Sequence, residues 1–541
     1  MEDFIQGWLQ KVFSSRKLSN GKSFDELFQV DSIPLFWFYK RYLLKHVLPR
    51  PLNTYEELLE AKELTPLRQL QLQLSSLVIK KYLLFNERRK VNAAFRQSTK
   101  RGKKYTSAHH GQTDTPKAIF LTYPDHLSEE NQLYRIQSII DVLHQDALLE
   151  PFPLFVTPLS SLNKKSLQDF SSNYPDFCTI YHYCDEEIKL KAEQQAAQIV
   201  GQWKQLDTAM IAGGLKVNNH KLWPYLSPAF SLFMSKEFLF ITLMYYEAGK
   251  KIIEEENVAI TFISGQNGLL ERCLAAASKT QGIPCMLVPH GYAIGNLPPQ
   301  DVLDNMYLPI FNKKTADTFI KSGLSEKQFR VTGPAMYDNI VKYQVVKQRT
   351  KTAPGQNLLL LTQPLIEDNL ISTKAYFKMV ETVLKEILAI PGTSITIKLH
   401  PREKGIKRYQ ELAQRLEGGK IKSRRISIRQ KGELNLLYRL LAEAKVVINF
   451  FATAGVLEAS ILDVPSITFP YNQKKSGKYG GFDPSLYVWE RESLRPAIKK
   501  LLGNPSLLRK ERQKMVKEFC TIIDGKSSER VAHWAYELVK K

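Results

Sequence analysis

Two short stretches of this chain carry side chains suited to holding an anion. In SITIKLHPRE (394–403), Lys398, His400 and Arg402 follow a run rich in β-branched residues. Pro401 fixes its own φ and pushes the residue before it out of helical geometry, so His400 is expected at an extended strand end. In KVVINFFATAGVLEASILDVPSITFP (445–470), the run Val446-Val447-Ile448 breaks at Phe451-Ala452-Thr453-Ala454-Gly455 and restarts at Val456. That pattern predicts a strand, a tight turn and a helix. Such a turn aims free amides and the positive end of a helix at one spot, where an anion would sit. The pair reads as a phosphate or diphosphate site.

Each piece has a plainer account when taken alone. Any αβ repeat produces strand, turn and helix, and Gly455 suits an ordinary tight turn. Glu458 suits the helix dipole, although no Ser or Thr three residues earlier completes a capping box. The combination with His400-Pro401 and a basic run is what favours a binding site.

The elements that would position these residues repeat along the chain. AIFLTY (118–123) predicts a strand, with Asp125, Glu129 and Glu130 just beyond it. NVAITFISGQNG, LLERCLAAASKTQ and IPCMLVPHGY form a βαβ unit that ends at His290-Gly291. NLLLLTQP is a buried strand running into Thr362. Polar turns at Asp125, Gln266, His290, Thr362, His400 and Thr453 each follow an apolar strand, so all of them can face one cleft between two parallel sheets. A histidine such as His290 can take a proton near neutral pH, although it could equally hydrogen-bond a loop. Before these units, residues 1–96 read as a helical, basic extension with amphipathic pieces, DSIPLFWFYKRYLLKHVL and LTPLRQLQLQLSSLVIKKYLLF. These suit either an anionic membrane surface or packing on the body of the protein. Residues 97–117 hold almost nothing able to enter a core and read as a flexible linker.

KLHPRE and ATAGVLEASILDVPSITF resemble the C-terminal domain of GT-B glycosyltransferases. The nearest group in appearance is the bacterial surface-polysaccharide set: polysialyltransferases and Kdo transferases with an HP motif, teichoic-acid glycerophosphotransferases, and UDP-GlcNAc 2-epimerase. The resemblance implies an α/β GT-B fold, with two Rossmann-like domains facing a cleft and a helical N-terminal extension. It implies an acceptor domain at 118–345, a nucleotide-sugar domain at 346–510, and C-terminal helices at 511–541 packing back on the first domain. By position, His400 and Thr453 would contact the donor phosphates, and Glu458 would hold the ribose. Lys398, Arg402, Thr362, Ala454 and Gly455 complete the expected donor site. The resemblance includes an HG dipeptide, matched by His290-Gly291, and an acidic pair followed by glycine, where this chain has Glu129-Glu130-Asn131. His290, Glu130 and Asp125 are therefore the expected catalytic residues. VTGP (331–334) resembles VTGNP-type turns, with Pro334 replacing asparagine, and DGKSS (524–528) resembles DGKAS-type endings.

The net charge of +22 over 541 residues favours anionic partners without naming one. The five cysteines, at 178, 184, 273, 285 and 520, include no C-x-x-C pair, so they suggest neither a disulfide framework nor a zinc site. The acidic start, MEDFIQGWLQKVF, does not read as a signal peptide, and no apolar run approaches the ~20 residues of a membrane span. The expectation is a cytoplasmic enzyme, peripheral at the inner face of the plasma membrane if it meets lipid at all. It would need no metal or cofactor, and its partners would be a nucleotide-activated sugar, CMP-, UDP- or GDP-linked, and a glycan or lipid-linked acceptor. The alternatives are a CDP-glycerol-type glycerophosphotransferase, an epimerase-like isomerase, and a basic nucleic-acid- or membrane-binding protein. Nucleic acid ranks last because no recognised motif accompanies the basic runs.

Overall fold

The structure is a computed structural model that describes residues 13–14, 21–42, 115–123, 127, 133, 136–155, 177–206, 216–217, 220–221, 227, 230–265, 268–289, 301–344, 355–368, 370–403, 405–418, 425–430, 435–450, 454–470 and 484–540. Two parallel sheets organise them. The first holds β1 (Lys117–Thr122), β2 (Glu150–Phe155), β3 (Cys178–Thr179), β4 (Val258–Ile263), β5 (Cys285–Leu287), β6 (Met306–Ile310) and β7 (Phe329–Val331) in the order β7-β6-β5-β4-β1-β2-β3. The second holds β8 (Gln356–Leu361), β9 (Thr393–Lys398), β10 (Ile426–Arg429), β11 (Val446–Asn449), β12 (Ser466–Thr468) and β13 (Leu486–Tyr487) in the order β10-β9-β8-β11-β12-β13.

In each sheet the chain starts at the centre, winds out to one edge, returns and winds to the other. The reversal falls between β1 and β4 in the first domain and between β8 and β11 in the second. This is the Rossmann winding, and its crevice for ligands opens at the carboxyl ends of the two strands flanking the reversal. The expected α/β architecture of two Rossmann-like domains is the one observed.

The leucine run of β8 shows why the sheets are buried on both faces. Leu358 and Leu360 enter one apolar cluster and Leu359 and Leu361 another, because successive side chains point to opposite sides.

The first domain is covered by α1 (Leu35–Tyr42), α2 (Gln137–Asp146), α3 (Glu186–Gln205), α4 (Lys236–Glu255) and α5 (Leu269–Thr280). The start of α1 settles one of the two readings of the aromatic piece. Phe36, Trp37, Phe38 and Tyr39 are buried in the first domain's main core, with Trp37 stacked 3.9 Å from the Arg272 guanidinium and Tyr39 on Phe233 at 5.1 Å. The second amphipathic piece lies outside the described residues. No helix among the described residues is long and apolar enough to cross a membrane.

The second domain carries α6 (Thr373–Leu388), α7 (Ile406–Leu416), α8 (Leu436–Glu443) and α9 (Ala454–Ile461); α10 (Arg509–Phe519) and α11 (Ser527–Val539) end the chain. The last helix lies on the first domain: Val531, Ala532 and Ala535 share a core with Ile139, Ile140 and Leu143 of α2. Two sequence motifs meet where it begins. The Asp338 carboxylate accepts the Ser527 and Ser528 amides at 2.9 and 2.6 Å, and the Thr332 carbonyl accepts from Arg530 Nε at 2.6 Å. The VTGP turn therefore docks the DGKSS ending of the chain.

Candidate functional site

The second domain's reversal places Leu361 beside both Lys398 of β9 and Asn449 of β11, so the three strands end together. Immediately beyond those ends lie Thr362, the His400-Pro401 turn and the start of α9.

The HP turn is held from below. The His400 amide donates to Glu403 Oε2 at 2.7 Å and to Thr362 Oγ1 at 3.2 Å. The Thr362 hydroxyl donates to the same Glu403 oxygen, with the Lys398 carbonyl 3.3 Å away. Glu403 Oε1 accepts from the Tyr409 hydroxyl at 2.6 Å and the Tyr376 hydroxyl at 3.3 Å. Burial pushes the Glu403 carboxyl above its ordinary value, against the pull of these donors. The half-buried His400 ring accepts the Arg402 amide on Nδ1 at 3.2 Å, so a neutral ring carries its proton on Nε2.

The other expected donor-site residues are placed as follows. Lys398 Nζ donates to the Leu399 and Gln430 carbonyls at 2.9 and 2.7 Å. Arg402 is exposed and forms a two-pronged pair with Asp368 at 2.8 and 3.0 Å. Ala454 and Gly455 open α9, and Glu458, only 5% exposed, stands one turn in. Thr453, Asp125, Glu130 and His290 lie outside the described residues. Among the basic residues of 398–431, Arg425 serves the scaffold: its guanidinium binds the carbonyls of Leu388, Ile390 and Thr393 at 2.6–2.7 Å, at the amino ends of β9 and β10, away from the HP turn.

Glu403 was not among the residues the sequence pointed to. A glutamate three places after a histidine reads as solvent charge, and Tyr376 and Tyr409 come from helices that only folding brings together. Two further features share that history. Asn449 is fully buried at the end of β11, and neither atom of its carboxamide finds a hydrogen-bond partner among the described residues; nor does the hydroxyl of Thr468, its register neighbour on β12. At the first domain's reversal, the hydroxyl of Tyr123, next after β1, donates to Glu271 in the first turn of α5. A Cβ on Gly268 would come within 1.9 Å of Glu271 Oε2, so a larger residue there would displace the Glu271 carboxylate.

Chemically, the second crevice offers an imidazole with its proton on Nε2 and the amino end of α9, with a ring of hydroxyls fixing the turn below. This arrangement can hold a phosphate and offset negative charge that develops on it.

No curated protein matches the chain. Among solved structures it is similar to UDP-GlcNAc 2-epimerase from Neisseria meningitidis bound to UDP-GlcNAc, at 10% identity and a TM-score of 0.47, covering 78% of this chain and 100% of that one. It is similar to UDP-GlcNAc 2-epimerase from Methanocaldococcus jannaschii, at 16% identity and a TM-score of 0.46, over 78% and 99%. It is also similar to the wall teichoic acid polymerase TagF, at 11% identity and a TM-score of 0.43, over 85% and 98%. The family model described as alpha-2,8-polysialyltransferase matches residues 307–434, a stretch that contains Thr362, Lys398, His400, Arg402 and Glu403, and over that stretch this chain is similar to that family.

Proposed function

We propose that this protein is a glycosyltransferase that moves a sugar from a nucleotide-activated donor to a glycan or polysaccharide acceptor. One observation carries the reading. The His400 turn lies beyond the strand ends at the reversal point of a Rossmann sheet, inside the segment that matches the polysialyltransferase model. The family description makes an activated sialic acid the first sugar to try.

In this reading the second domain holds the donor and the first domain the acceptor. The acceptor hydroxyl attacks the anomeric carbon while the bond from that carbon to the phosphate oxygen breaks. Charge then grows on the leaving phosphate, where the His400 Nε2–H and the amides of Thr453, Ala454 and Gly455 offset it. Glu458 holds the ribose. Lys398 and Arg402 contribute positive field from their bonded positions, and Thr362 acts through the turn it fixes. His290, or else Glu130 or Asp125, takes the acceptor proton. No metal is required, and any contact with an anionic membrane is peripheral.

The test incubates the protein with CMP-, UDP- and GDP-sugars and CDP-glycerol, with and without oligosaccharide acceptors, and follows released nucleotide and product by chromatography. One donor should be consumed only when acceptor is present, equally with and without EDTA, and His400→Ala should lower kcat by about a hundredfold, the scale of losing one preorganised donor. Consumption of CDP-glycerol would make the protein a glycerophosphotransferase, and conversion of a sugar nucleotide without acceptor would make it an isomerase. Turnover of no donor would overturn the reading.

A further inference from the structure

We infer that Glu403 is the positioning residue of the HP turn: through the Thr362 hydroxyl and the His400 amide it holds the imidazole in the orientation and tautomer that present Nε2–H to the donor. The inference rests on the donor-site reading given above.

Glu403 is 4% exposed, and an ionised carboxylate so far from water persists only when its oxygens are hydrogen-bonded. Its donors are hydroxyls and an amide: Thr362 and His400 on Oε2, Tyr376 and Tyr409 on Oε1. They come from four places, namely the end of β8, the HP turn, α6 and α7. One carboxylate therefore ties the strand preceding the site to the turn that carries its histidine. Thr362 is the shared link, accepting from the His400 amide while giving its own proton to Glu403. With the backbone of the turn fixed, the Arg402 amide meets His400 Nδ1 at 3.2 Å, which leaves the proton on Nε2.

Burial raises the Glu403 pKa above 4.5, and the nearby charge of Glu367 adds to the rise. The groups facing it are Tyr376, Tyr409, Thr362 and His400. Once protonated, Glu403 can no longer accept from all its donors and the turn loosens. Nucleotide affinity should therefore fall as pH drops through the raised Glu403 value. An imidazolium at His400 would bind an anion more strongly, the opposite sense, so the Glu403 effect is isolated by comparing Glu403→Gln with wild type.

The experiment compares wild type, Glu403→Gln, Tyr409→Phe and His400→Ala. Calorimetric titration with CMP, UDP and GDP from pH 5 to 8 gives affinities, and long-range proton–nitrogen NMR of nitrogen-15 histidine gives the His400 tautomer, assigned by its loss in His400→Ala. Glu403→Gln should bind nucleotide about tenfold more weakly, the scale of one well-placed hydrogen bond lost to the ligand. It should also lack the acid limb of the affinity profile and show a mixture of His400 tautomers. Tyr409→Phe, which removes one donor and keeps the carboxylate, should fall between it and wild type, and serves if Glu403→Gln does not fold. A folded Glu403→Gln with wild-type tautomer, affinity and pH profile would overturn the inference. If instead the tautomer shifts in Glu403→Gln while His400→Ala leaves every nucleotide affinity unchanged, positioning stands and the donor-site reading fails.

Discussion

At the scale of single residues, Asn449 and Thr468 stand out beside the HP turn. A buried amide left without partners costs about 1–3 kcal/mol, a cost that proteins retain where a ligand or reaction needs the group. Asn449 ends a strand flanking the reversal, and α9 starts five residues later. Asn449→Leu keeps the branching at Cγ, at a larger volume, and removes the polar atoms that find no partner among the described residues. It should stabilise the ligand-free protein by about 1 kcal/mol, read as a higher Tm, while the proposed donor turnover falls. Arg402 and Arg425 show how little charge alone reveals. One pairs with a surface aspartate and the other clamps three carbonyls, although both sit in the same basic run.

At the scale of elements, the docking of α11 is the joint to test. Gly333 has φ +80°, in the left-handed region, and a Cβ there would lie 2.6 Å from Ser527 Oγ and 2.8 Å from the Ile522 carbonyl. Gly333→Ala therefore combines backbone strain with overlap against main chain, for a loss of about 2–4 kcal/mol read in a denaturant melt. Gly323 has a similar φ of +87° and nothing within 4 Å, so Gly323→Ala should cost only the strain, about 1–2 kcal/mol. If the two substitutions cost the same, the close approach of α11 has no energetic weight. Both motif segments serve this joint: Asp338, four residues past VTGP, accepts the Ser527 and Ser528 amides of DGKSS, and Thr332 of VTGP accepts from Arg530.

At the scale of the whole molecule, the charge of +22 bears on the proposed acceptor. A field of that sign raises the encounter rate with a polyanion, and salt screens it with a Debye length of about 10 Å at 0.1 M. With an anionic polysaccharide acceptor, kcat/KM should drop about tenfold or more between 0.05 and 0.3 M NaCl, while a neutral acceptor of equal length should change less than about twofold. Equal salt dependence for both acceptors would assign the charge to some other partner.

What the sequence determined by itself was everything encoded in local periodicity. β8, β9 and β11 were legible from their β-branched and leucine runs, α5 from its place in the βαβ unit, and the two-domain α/β class from the recurrence of strand, polar turn and helix. His400 was legible because the proline after it constrains the backbone whatever the surroundings. The tertiary structure alone decided which residues stand behind it. Glu403, Tyr376 and Tyr409 are separated by up to 33 residues and meet only because α6 packs on β9 and α7 on the neighbouring β10. The same holds for the winding order that brings β8 beside β11, for Asn449, whose side chain has no partner among the described residues, and for the aromatic piece of α1, whose pattern suited membrane as well as core until α5 covered it. Periodicity reports which face of an element is apolar; only packing determines what that face, and the polar groups at its ends, will meet.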